Sequence, residues 1–262
     1  MNEIDELAQK LLDNSRFYIL STSFLISLAV IGFLRLQIPS DQIFYIRTQQ
    51  VFGLLAIFYW YVALIISPIG HVIGKHRMKK VEFARRAIGV SAFYFVLLHG
   101  VIALWGQLGG LSELQHLPAL FKWSLLGGTI AFGILLVMAL TSFDKVVKFM
   151  TFRKWKLLHR LVYIGGVLAL LHIWTIGTHL AYDNVQLVVF IALVVLSGLE
   201  LYRITKLLNN TYFHLDKAEA VTLYVSSWVL VAALIYMVPA FVQNYHSRHS
   251  DHNDTSHNEG HR

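Results

Sequence analysis

RKWKLLHRLVYIGGVLALLHIW, residues 153–174, decides the fold class of this chain. Four cations stand among its first eight residues: Arg153, Lys154, Lys156 and Arg160. An apolar run of more than a dozen residues follows. A basic head leading into about 20 apolar residues reads as a transmembrane helix entered from its basic edge. Two histidines mark the stretch, His159 in the head and His172 towards the far end. Imidazole is costly against lipid, so it faces a bundle interior and serves a purpose there. Their thirteen-residue separation is about 20 Å of helix.

The rest of the composition agrees. Of the 262 residues, 56% are hydrophobic and 14% charged, and the mean hydropathy is +0.57. A soluble domain of this size needs far more charge to cover its surface. The fold class expected is an all-α polytopic bundle. There is no cysteine. That excludes disulfides, thiolate ligation of haem and cysteine-held iron–sulfur clusters. The net charge of +7 is no sign of nucleic-acid binding, because the cations cluster in loops beside apolar segments.

In chain order, residues 1–16 form an amphipathic segment, with Ile4, Leu7, Leu11 and Leu12 on one face. It lacks the ordered parts of a secretory signal and is expected to rest on the membrane or the bundle. A six-span core covers 17–203, with spans near 17–34, 43–66, 87–106, 123–142, 157–178 and 185–202. Residues 204–243 supply a connecting loop and a seventh span near 221–241. Residues 244–262 form a polar, histidine-rich tail. Twelve of the 22 Lys and Arg residues fall in two loops, at 75–86 and 145–160. With seven spans both loops share a side with the N-terminus. Positive charge marks the inner face, so the N-terminus is expected in the cytoplasm and the C-terminus outside, in a bacterial inner membrane.

The third span, from Arg85-Arg86, holds one histidine, His99, thirteen residues beyond Arg86. His172 lies thirteen residues beyond His159. Spans three and five run the same way, so His99 and His172 are expected at similar depth in the outer half. Two imidazoles on two helices can hold a haem edge-on, and neutral imidazole is a good axial ligand. A lone histidine in a span is otherwise a hydrogen-bonded packing residue, and His159 stays open between these roles. On an ideal helix thirteen residues turn a side chain by about 140°. Gly165-Gly166 offers a place for a kink between the two histidines. His71, His76, His116, His179 and His214 read as surface residues.

Three stretches carry a resemblance: RRAIGVSAFYFVLLH (85–99), MALTS (138–142) and WKLLHRLVYIGGVLALLH (155–172). Their order resembles the ferric-reductase-like transmembrane domain family, and within it the MsrQ group of haem-binding membrane subunits. The resemblance spans about Ser67 to Trp174. It implies a b-type haem on His99 and His172. It also implies a haem-linked role for His159, as alternative ligand or as ligand of a second haem. Electrons would come from quinol or reduced flavin and pass outward to an external reductase. The seventh span and the tail are additions to that pattern. No inner loop is long enough to bind a dinucleotide, so a cytoplasmic flavin reductase or quinol would be the donor. FMN or quinone is then a further cofactor to consider.

Arg85 and Arg86 stand where a cofactor near His159 would be met, and the basic loops could attract an anionic group. The tail holds His246, His249, His252, His257 and His261, a composition suited to transition metals. Two other readings therefore stand beside the electron-delivery subunit. One is a ferric or cupric reductase that acts on metal directly at the outer face. The other is a membrane protein that handles metal without redox chemistry.

Overall fold

The computed structural model describes residues 14–177, 183–213 and 215–258. The amphipathic segment expected over 1–16 falls almost wholly outside these residues, as do His179, His214 and His261. Every regular element among the described residues is helical. Helix α1 is Ser15–Gln37, α2 is Asp41–Ile73 and α3 is Lys75–Ile102, which runs on into a π turn at Ala103–Gln107. A 3-10 turn at Leu111–His116 leads to α4, Ala119–Leu140. Then come the short helices α5 (Asp144–Met150) and α6 (Phe152–Leu158), followed by α7 (Leu161–Ile176). Helix α8 is Asp183–Leu208 and α9 is Lys217–Asn258. Among the described residues, seven stretches are long and apolar enough to cross a membrane by length and composition. The chain is an integral membrane protein with an all-α, polytopic fold.

The chain divides into two compact units, Met1–Leu171 and His172–Arg262, so the division falls inside α7. In the first, α2 and α3 lie antiparallel along most of their length. The single residue between them is Gly74, at φ +111°, a backbone region that side chains with a Cβ rarely enter. Phe52 and Phe95 meet across the pair at 6.0 Å between ring centroids, and both are fully buried. A second cluster joins Trp60, Ala92, Leu135 and Val162. Large apolar side chains such as Phe17, Leu25 and Phe149 point outward, which lipid tolerates and water does not.

Lipid provides no hydrophobic drive to press helices together, so close packing and buried hydrogen bonds hold them. Helix α1 meets α3 in this way. Ser23 Oγ donates to Ser91 Oγ at 2.8 Å, and Ser27 Oγ bonds Tyr94 Oη at 2.7 Å. All three serines are buried. In the second unit α8 and α9 form an antiparallel hairpin. Trp228 Nε1 donates to Val194 O at 3.1 Å. Gly198 makes the approach possible, since a Cβ there would lie 2.9 Å from that nitrogen. Asp216 and Glu219 cap the start of α9 reciprocally, with Glu219 N–H donating to Asp216 Oδ1 at 2.8 Å and Asp216 N–H to Glu219 Oε2 at 3.1 Å.

Two details differ from the sequence expectations. The fifth span is continuous through Gly165-Gly166 and broken instead at His159–Arg160. There the backbone tightens to three-residue bonds: Arg160 N–H to Leu157 O at 3.1 Å and Tyr163 N–H to Arg160 O at 3.2 Å. The glycines instead admit Trp60. A Cβ on Gly165 would lie 3.6 Å from its indole and 3.3 Å from Ile134. The seventh apolar span runs over Lys217–Met237, but its helix does not stop with it. Helix α9 continues through the histidine-rich stretch to Asn258, 42 residues in all. That is about 63 Å of helix, twice the roughly 30 Å hydrocarbon core.

Candidate functional site

His99 is half-buried near the end of α3. Its Nδ1 lies 2.8 Å from the backbone carbonyl of Gln49. A carbonyl only accepts, so Nδ1 carries the hydrogen. The neutral ring then has Nε2 as its basic nitrogen, the form that a metal ligand requires. Gln49 lies eight residues into α2, about 12 Å from its start. Because α2 and α3 are antiparallel, His99 sits towards the end of the bundle opposite Arg85. Gly53, one turn on, leaves room for the ring: a Cβ there would lie 3.1 Å from His99 Nδ1. Gln49 Nε2 also donates to Gln107 Oε1 at 2.8 Å. This orientation, tautomer and cradle fit an axial ligand to haem iron.

His159 is held differently. Thr141 Oγ1 donates its hydrogen to Val137 O at 2.8 Å, so it accepts from His159 Nε2–H at 3.2 Å. In the neutral form His159 therefore keeps its basic nitrogen at Nδ1, the opposite tautomer to His99. Trp155 stacks on the ring, with centroids 4.1 Å apart, and its Nε1 donates to Thr141 O at 3.0 Å. Arg85 and Arg86 both act electrostatically on His159. Arg85 Nε donates to Ala63 O at 2.8 Å. Arg86 pairs with Asp144 at 2.9 Å, and Arg16 pairs with the same carboxylate. So the first unit brings Arg85, Arg86 and His159 together at one end and places His99 towards the other.

His172 belongs to the second unit. It is half-buried towards the end of α7, and its carbonyl accepts from Thr175 Oγ1 at 3.0 Å. His246, His249, His252 and His257 follow one another along the distal part of α9. Among the described residues no group of three or more His, Cys, Asp or Glu side chains is placed to hold a metal ion. His71 bonds the Ser67 carbonyl at 2.9 Å, and His116 is exposed beside Gln115.

Residues 52–170 match the family described as "Ferric reductase like transmembrane component". Over these residues the chain is similar to that transmembrane component. The segment takes in His99 and His159 and ends two residues before His172. The chain is 31% identical over 112 residues to the protein-methionine-sulfoxide reductase heme-binding subunit MsrQ of Ralstonia nicotianae, covering 42% of this chain and 50% of that protein. It is 33% identical over 112 residues to MsrQ of Polaromonas naphthalenivorans, covering 42% and 49%. It is 28% identical over 119 residues to the magnetosome protein MamZ of Paramagnetospirillum magneticum, covering 45% of this chain and 18% of MamZ. The chain thus spans about half the length of the MsrQ relatives it matches. No solved structure matches.

Sequence reasoning did not find Gln49, Gly53, Gln107 or Asp144. A glutamine pair inside an apolar run, Gln49-Gln50, was the available signal, since polar side chains at membrane depth are seldom idle. Thr141 lay within the MALTS stretch but had no assigned role.

Proposed function

We propose that this chain is a haem b-carrying electron-transfer subunit of the bacterial inner membrane, similar in role to MsrQ. His99 and His172 are the axial ligands, and His159 acts on the inner side. Electrons enter from the cytoplasmic side or the membrane, from quinol or reduced flavin, and leave to an external reductase. The observation that carries the reading is the Nδ1–H bond from His99 to the Gln49 carbonyl. It holds the ring in one tautomer with Nε2 as the ligating nitrogen. The equal thirteen-residue offsets of His99 from Arg86 and of His172 from His159 support matched depth. The MsrQ relatives, named as heme-binding subunits, support the cofactor and a reductase as partner.

When bound, the haem supplies a one-electron site within low-dielectric protein. The chain's own residues orient it. The Gln49 carbonyl orients the His99 ring, and Gly53 leaves the gap that the ring fills. Arg85 and Arg86 supply positive charge beside the neutral His159 ring, an inner constellation suited to an anionic flavin phosphate or a quinone oxygen.

The test is the visible spectrum of the purified membrane protein. Wild-type protein is expected to show a low-spin b-type signal. His99→Ala and His172→Ala are expected to lose most bound haem, and His159→Ala to lose less. If the first two retain a full low-spin signal, the assignment of ligands falls.

A second reading, direct reduction of Fe(III) or Cu(II) at the outer face, gains support from α9. Its helix carries His246, His249 and His252 at three-residue steps, which are neighbouring positions on a helix surface. In that reading the histidines of the tail, His246, His249, His252, His257 and His261, would hold the metal ion, and the haem would supply the electron.

A further inference from the structure

The π turn at Ala103–Gln107 lies just beyond His99, and π turns are frequent at functional sites. On an uninterrupted α-helix, Gln107 would stand about 80° away from the face of His99. The wider π turn lags that rotation and brings Gln107 back towards that face. There Gln49 meets both residues. Its carbonyl accepts from His99 Nδ1 at 2.8 Å, and its side-chain amide donates to Gln107 Oε1 at 2.8 Å.

The turn is firmly held. Leu108 N–H donates to Ala103 O at 2.9 Å and Gly110 N–H to Leu104 O at 2.8 Å. Gly106 packs so closely on Tyr45 that a Cβ would lie 2.7 Å from Tyr45 Cγ. These are atoms near the Tyr45 backbone, so they cannot swing aside easily. Gly106 thus locks the turn against the first part of α2. That is the same part which presents Gln49 to His99. On the other side of the Gln49 carbonyl, Gly53 leaves the gap that the imidazole fills. Gln49 is itself buried, so its amide needs a protein partner.

We propose that Gln107 is a positioning residue: held by the π turn, it acts through Gln49 to fix the His99 ring and so tunes the metal centre. The inference rests on His99 being a haem ligand. Gln107 anchors the Gln49 side chain, which holds the Gln49 carbonyl against Nδ1–H. A well-made Nδ1–H bond makes Nε2 more basic and favours the oxidised metal. Loosening the bond is therefore expected to raise the midpoint potential and to broaden the spread of ligand orientations.

The experiment uses full-length purified protein and compares Gln107→Leu, Gln107→Glu, Gly53→Ala and His99→Ala. The readouts are haem content, midpoint potential and the low-spin electron paramagnetic resonance signal. Gln107→Leu removes the acceptor, and Gly53→Ala pushes on the ring from the other side. Both are expected to raise the potential, broaden the signal and weaken haem retention by about 10-fold. Gln107→Glu keeps an oxygen acceptor for the Gln49 amide and is expected to restore haem retention and line shape, with any change in potential downward from its added negative charge, opposite to Gln107→Leu. If Gln107→Leu has the wild-type potential and signal while His99→Ala loses haem, the inference is overturned and the ligand assignment stands. If Gln107→Glu behaves like Gln107→Leu, the acceptor argument is overturned. If His99→Ala retains low-spin haem, the ligand assignment itself has failed.

Discussion

At the scale of single residues, the histidines could be read from the chain and their states could not. His99 and His159 are the same side chain in two apolar surroundings. Their opposite tautomers depend on partners 50 and 18 residues away in sequence, a carbonyl for one and a hydroxyl for the other. No local pattern encodes such a partner. Asp144 shows the same thing in a charged setting. It opens the short helix α5, and only folding brings Arg16 and Arg86 to it. Arg16, chiefly through its hydrogen bond, and Arg86 hold the Asp144 carboxyl below the usual carboxylate range. The folded pKa is thus lower than the unfolded value, which is near 3.9. Its stabilisation is fully present above that unfolded value and is lost as pH falls through the folded one. Asp144 is 55% exposed, so screening keeps the contribution to about 1 kcal/mol or less. Asp144→Asn is expected to lower the melting temperature of the solubilised protein slightly at neutral pH. Wild type and variant should converge as pH falls through the lowered folded pKa of Asp144, and also in about 1 M salt. Equal melts at neutral pH and low salt would show that the cluster contributes nothing.

At the scale of elements, hydropathy located all seven spans, because about 20 apolar residues have few other stable uses. It did not locate the ends or the breaks. The fifth span breaks at His159–Arg160 and not at its glycines, because Trp60 packs into the space that the glycines leave. Helix α9 outruns its apolar part because a polar stretch with no Pro or Gly before Gly260 can continue a helix already nucleated. Its distal part is too polar for lipid, so it extends beyond the membrane. If it serves metal capture, deletion of residues 245–262 should leave haem content unchanged. It should slow reoxidation of the dithionite-reduced protein by Cu(II) or Fe(III) at low metal concentration. The difference should vanish at saturating metal, where mass action replaces capture. Identical curves with and without the segment would remove the metal-reductase reading and favour a protein acceptor.

For the whole molecule, orientation is a property of the cations. The segments at 75–86 and 145–160 together hold twelve of the 22 Lys and Arg residues, which is expected to keep both in the cytoplasm. A reporter inserted within 145–156 should register inside, and one fused after Arg262 should register outside. An internal C-terminus would mean that the apolar part of α9 does not cross the membrane. The sequence by itself determined the class of protein, the number of spans, the direction of charge and the histidines worth testing. Each of these follows from solvent: lipid selects apolar length, and the membrane surface sorts charge. Only the tertiary structure decided which nitrogen of His99 is basic, that Gln49 and Gln107 stand behind it, and that Gly53 and Gly106 are the small residues the site needs. The reason is physical. Burial and charge act on every residue of a segment in the same way and leave a pattern along the chain. A hydrogen bond across two helices depends on a distance of a few tenths of an ångström, which exists only once the helices have packed.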